Sequence, residues 1–173
     1  MREQNHERDL SMLDTGVHDP RALRDAFSHF ATGVTVVTMN DDAGCATGVT
    51  VNSFSSVSLD PPLCLFSLGR DQVSCRWLEG ERPFNVNVLR HEQHEVAWQF
   101  ARPAEDKFDG VLQGVGRNEA PFIADALCHF ECRPWALYDG GDHHIVVGRI
   151  THFQTGEGDP MLFYRGQIAK LGG

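Results

Sequence analysis

Short runs rich in valine and threonine, separated by turn-forming residues, fill most of this chain and restrict it to a largely β architecture. Residues 34–39 and 46–54 flank Asn40-Asp41-Asp42-Ala43-Gly44, whose turn chemistry makes the pair a β-hairpin. Further strands are predicted at 63–68, 84–89, 127–137, 145–153 and 161–164. The first of these follows Asp60-Pro61-Pro62, where the prolines exclude both a helix and an interior strand start. Helices are few. One starts at Asp19-Pro20, an N-cap with proline in the first helical position, carries Leu23, Ala26, Phe27 and Phe30 on one face, and ends by Gly33. Two more are expected over 72–78 and 93–101, and 102–123 reads as loop with one weak strand. Many strands with few, separated helices predict an antiparallel barrel with flanking helices, not a doubly wound sheet.

A chain of 173 residues can build one sizeable core, which we assign to 20–173, with 1–19 as a flexible polar tail. The net charge of -9 disfavours nucleic acid and anionic membrane surfaces as partners. The polar tail has no apolar run suited to a signal or an anchor, so a cytoplasmic location is expected. Five cysteines at irregular spacing argue against a disulfide framework. Cys128 and Cys132 share a strand face but lie too far apart for a compact zinc clip, and read as small buried hydrophobes. His91 and His94, beside Glu92 and Glu95, lack the spacing of a metal-binding helix and read as a polar helix start. No metal is expected.

Side chains alternate along residues 47–54, which puts Val49 and Val51 on a core face and leaves Thr50 and Asn52 as a polar pair on the other. On spacing alone this pair is a solvated strand face. His143 follows the turn Gly140-Gly141-Asp142 at the start of a strand, a position that sets an imidazole at a barrel rim, while His144 should point to the opposite face. Gly148, inside the same strand, marks a barrel bend or a close backbone approach. Gly110, Gly114 and Gly116 do not form a dinucleotide-binding G-x-G-x-x-G fingerprint.

Several words occur in register: FSHFATGVTVVT at 27–38, TVNSFSSVSLDPP at 50–62, FNVNVL at 84–89, Asp106-Lys107-Phe108, Gly141-Asp142-His143 and Phe163-Tyr164-Arg165-Gly166. With them the chain resembles the short-chain flavin reductases, the reductase components of two-component flavin monooxygenases. The resemblance implies a split antiparallel β-barrel homodimer with flavin near the subunit interface. It places Thr50, Val51, Asn52 and Ser53 along the isoalloxazine, Ser67, Leu68 and Ser74 at the ribityl phosphate, and Lys107 and Phe108 in a loop beside that phosphate. Tyr164, in the terminal word, joins this cofactor-binding set. His143 would face the nicotinamide and the flavin, to orient one or relay a proton. The implied reaction is hydride transfer from NADH or NADPH to FMN or FAD, with reduced flavin diffusing to a partner monooxygenase. The alternative on the same fold is a module that retains its flavin and acts on another substrate. One departure is Ile168, where the family often has an aromatic residue.

Overall fold

A computed structural model of the chain describes residues 19–74 and 82–171. The N-terminal tail, except Asp19, and most of the helix expected over 72–78 lie outside the described residues. The elements in chain order are α1 (Pro20–Phe27), β1 (Thr32–Gly33), β2 (Thr35–Asn40), β3 (Ala46–Val51), β4 (Ser55–Leu59), β5 (Pro62–Gly69) and β6 (Phe84–Val88). A 3-10 turn at His91–Gln93 leads into α2 (His94–Ala101). Then come β7 (Gln113–Val115), β8 (Pro121–Ile123), β9 (Cys128–Gly140), β10 (His143–Thr155), β11 (Leu162–Tyr164) and β12 (Gln167–Ala169).

Seven strands form one antiparallel sheet in the order β3-β2-β6-β9-β10-β5-β4. Its two flanks meet. Val49 and Val51 of β3 share a buried cluster with Cys64, Phe66 and Leu68 of β5, although three other strands separate β5 from β2 in the ladder order. The sheet therefore curls around that cluster into a barrel. The seam is stitched by a side chain, since the Ser67 amide donates to Ser53 Oγ (2.8 Å) and the Ser53 hydroxyl donates back to the Ser67 carbonyl (3.3 Å).

β2 is buried on both faces, which explains why 34–39 reads as a nearly continuous apolar run. Val37 and Met39 face the barrel interior, while Val34 and Val36 join a second cluster with Phe100 of α2, Phe108, Ile123 and Met161. The small sheet β1-β11-β12 docks on this outer layer, with Phe163 and Ile168 packed against it. Asn85 and Asn87 of β6 are fully buried and tie the barrel to the β7–β8 hairpin. Asn87 Nδ2 donates to the Val36 carbonyl (2.8 Å) and Asn87 Oδ1 accepts from the Ile123 amide (2.9 Å). Asn85 Nδ2 donates to the carbonyls of Ala120 and Pro121, both at 3.0 Å.

The fold departs from expectation in several local respects. α1 stops at Phe27, short of the expected end near Gly33, so Phe30 lies beyond the helix, and Phe27 and Phe30 stand 69% and 77% exposed. β3 ends at Val51, and Ser55–Leu59 pairs with β5 as a strand that its serine-rich sequence concealed. β9 and β10 run closer to their turn than expected, because the turn spends only Gly141 and Asp142 between Gly140 and His143. Gly141 takes φ +80°, at the position where a type II′ turn requires glycine. Cys45, Cys64, Cys128 and Cys132 are free thiols, and Cys64 and Cys132 meet in the core at 3.8 Å. Their mutual hydrogen bond and burial push the Cys132 thiol up, consistent with small hydrophobic behaviour. No group among the described residues could hold a metal ion.

Gly148 combines both roles read from the sequence. The β9–β10 register shifts between Val147 and Gly148, and a methyl group on Gly148 would stand 2.5 Å from Phe84 Cζ inside the barrel. Gly148→Ala should therefore lower stability by about 1–3 kcal/mol, the usual range for an overpacked core. Urea unfolding measures it, and an unchanged midpoint would show that the ring can move aside.

Candidate functional site

A cleft of about 760 Å³ opens between the barrel and the unit formed by α1 and the small sheet. Its barrel wall carries Asn52, Ser53 and His143; the opposite wall carries Phe27, Phe30 and Phe163. Arg24 and Arg165 also line it, with Asp25 as the one acidic residue among the described lining. Two polar side chains of its lining are left unpaired by the described residues. The Asn52 carboxamide is exposed to the cleft and makes no side-chain hydrogen bond with a described residue. Thr32, another lining residue, has a buried hydroxyl without a partner among the described residues.

His143 is held from two directions. Its Nδ1–H points at Asp142 Oδ1 (2.6 Å), which leaves Nε2 free of that bond, and His143 holds the Asp142 carboxyl below the usual carboxylate range. The turn itself is clamped by Arg70 at the end of β5. Its guanidinium bonds Asp139 (2.8 Å) and the Gly141 carbonyl (2.5 Å), and its amide donates to the Asp142 carbonyl (3.0 Å). His144, one residue on, faces the other way and does not line the cleft.

A second groove of about 470 Å³ lies at the other end of β3, lined by Thr47–Val49, Gln72, Ser74, Phe100 and Lys107. The residues named from sequence therefore divide. Asn52, Ser53 and His143 reach the cleft, whereas Ser74 and Lys107 reach the groove. Thr50 faces α2, where its hydroxyl donates to the Ala97 carbonyl (2.6 Å). Ser67 lies on β5 and meets Ser53 through its backbone. Val51, Leu68 and Phe108 are core side chains, so only their backbone could meet a ligand. Tyr164 sits beside the cleft lining formed by its neighbours Phe163 and Arg165. Ile168 pairs with Phe163 in the small sheet and packs on the second cluster.

Phe27, Phe30, Phe163, Arg24 and Arg165 were not singled out as site residues by sequence reasoning. Phe27 and Phe30 carried a signal, two large aromatics beside a short charged helix, but helical spacing placed them only on one helix face with Leu23 and Ala26. Lys107 lines the groove and also has a structural role. Its ammonium donates to the carbonyls of Phe100 (3.1 Å) and Arg102, closing the C-terminus of α2. Burial depresses its pKa.

The curled antiparallel sheet with its cleft defines a split-barrel ligand-binding protein. The flavin reductase like domain matches residues 27–172, and the chain belongs to that family. It is 45% identical over 150 residues to a Rhizobium meliloti protein named "Probable flavin reductase", covering 87% of this chain and 48% of that one. It is 41% identical over 154 residues to the stachydrine N-demethylase reductase subunit of the same organism, covering 89% and 67%. Among solved structures, the Streptomyces globisporus NADH:FAD oxidoreductase in complex with NAD and FAD fragments superposes with a TM-score of 0.85 at 40% identity, covering 89% of this chain and 93% of that one. The chain spans about half the length of some curated relatives it matches.

Lys107→Met removes the cap while keeping the aliphatic stem. Loss of charge-assisted hydrogen bonds should destabilise the fold by about 1.5–3 kcal/mol, read as a lower midpoint in chemical denaturation. Unaltered stability together with weaker flavin binding would return Lys107 to a ligand-facing role.

Proposed function

We propose that this chain is an NADH-dependent flavin reductase that reduces FMN or FAD and releases the product to a partner monooxygenase. The observation that carries the reading is the cleft, where an unpartnered carboxamide, an oriented imidazole and three phenylalanines face one space. An isoalloxazine has an apolar body and a hydrogen-bonding edge, which suits Asn52 and the backbone of 50–53 on one side and aromatic faces on the other. β3 joins the cleft to the groove at its far end, and Gly48 to Asn52 spans about 13 Å of extended chain. That length supports a ligand with its ring by Asn52 and its ribityl tail toward Ser74.

Hydride passes directly from nicotinamide to flavin, so the protein's task is to stack the two rings. In this reading Asn52 fixes the flavin edge, His143 orients the nicotinamide carboxamide, and the clamp of Arg70 and Asp142 keeps the imidazole in place. Homodimerisation is part of the proposal. Leu59, Phe153 and Trp135, 95%, 70% and 50% exposed, give a barrel of this size apolar surface that a second copy would cover. We assign the chain to the cytoplasm on its irregularly spaced cysteines, which do not form a disulfide framework. No helix among the described residues is long and apolar enough to cross a membrane.

Steady-state oxidation of NADH and NADPH with FMN, FAD and riboflavin tests the activity. His143→Ala should slow anaerobic flavin reduction by roughly tenfold, about 1.4 kcal/mol of transition-state stabilisation, and His144→Ala should not. The reverse pattern would mean that the wrong histidine has been chosen; absence of flavin-dependent NADH oxidation in the wild type would remove the function. Light scattering should give twice the mass of the chain, and a fully active monomer would remove the dimer.

A further inference from the structure

Arg165 occupies a conformation that its residue type disfavours. It and Gly166 form the two-residue turn between β11 and β12, with φ +50° and +76°, the pattern of a type I′ turn. Asparagine or glycine would fit the first position with less strain, so the arginine side chain merits a functional explanation.

The surroundings hold that side chain without neutralising it. The Arg165 amide donates to the Ser28 carbonyl (2.9 Å), docking the turn on the end of α1. His29 Nδ1 lies 2.9 Å from the Asp25 carbonyl, and His29 Nε2 lies 2.8 Å from Arg165 Nη2. A carbonyl only accepts and a guanidinium only donates, so His29 must carry its proton on Nδ1 and accept at Nε2. A carboxylate at this place would aim the arginine equally well but cancel its charge. Arg24 lines the same cleft, and neither guanidinium is ion-paired to a described carboxylate. Asp25 offsets only part of this local positive charge.

We propose that Arg165, aimed by His29, receives the phosphates of the hydride donor and so makes the cleft selective for a dinucleotide over a bare dihydronicotinamide. The inference rests on the flavin reductase reading. A chain of net charge -9 repels an anionic donor at long range, so productive binding needs a local cation pointing inward. The planar fork of arginine matches a phosphate, and Arg165 shares its cleft with His143, which the proposed function sets beside the nicotinamide.

The experiment compares two donors, NADH and the phosphate-free 1-benzyl-1,4-dihydronicotinamide, and two acceptors, FMN and riboflavin. Arg165→Asn keeps a residue that tolerates positive φ, and thermal melting checks that the fold survives. The expected result is a KM for NADH raised tenfold or more, with kcat within about twofold, unchanged KM for both flavins and no effect on the benzyl donor. His29→Ala should shift KM in the same direction by less, and His29→Gln, which can still present an acceptor, should restore it. A raised KM for FMN but not riboflavin would assign Arg165 to the flavin phosphate and overturn the proposal. Equal losses with both donors, or an unchanged KM for NADH, would overturn it as well. Wild-type protein that reduces flavin with neither donor would instead refute the underlying function.

Discussion

The barrel closes where β3 meets β5, over a shared apolar cluster and through the hydroxyl of Ser53. β3 leaves its ladder at Val51, and from there the Ser53 side chain, acting as donor and acceptor, does for Ser67 what a neighbouring backbone would otherwise do. This exchange holds β3 against β5 without a further pair of strand residues. It also interrupts the alternation of the strand, so that Asn52 and Ser53 both line the cleft instead of pointing to opposite faces. Closure of the barrel and exposure of the Asn52 carboxamide thus have a common origin.

The words that carry the family resemblance serve the scaffold as much as the site. In FNVNVL, both asparagines are buried and satisfied by the β7–β8 hairpin and β2. In Asp106-Lys107-Phe108, the carboxylate accepts from the Phe108 amide, the ammonium caps α2, and the ring meets Phe100 edge-on at 5.0 Å. Buried polar groups of this kind are expensive to leave unpaired, which makes them demanding of their neighbours even when no ligand is involved.

The β-rich class, the hairpins and the placement of His143 were legible because they rest on local rules: period-two patterning, turn chemistry and alternation near a two-residue turn. Ser55–Leu59 escaped because serine is a weak strand signal, and only pairing with β5 makes it one. Phe27 and Phe30 were legible as apolar but not as exposed, since helical spacing says which residues share a face and not whether anything covers it. Arg165 stood in a recognised word, Phe163-Tyr164-Arg165-Gly166, but nothing local gave it a role. Its significance arises from a turn conformation and from a histidine 136 positions away in sequence.

The two walls of the cleft belong to separate parts of the molecule. Asn52, Ser53 and His143 are anchored in the barrel, while Phe163 and Arg165 ride on the small sheet, which reaches the barrel through the second cluster around Met161. Changes at the exposed Arg165 turn can therefore reshape one wall without touching the strand behind the other, whereas Phe163 and Ile168 are tied to β2 through the second cluster. The turn at the rim can thus be altered separately from the strand that carries Asn52.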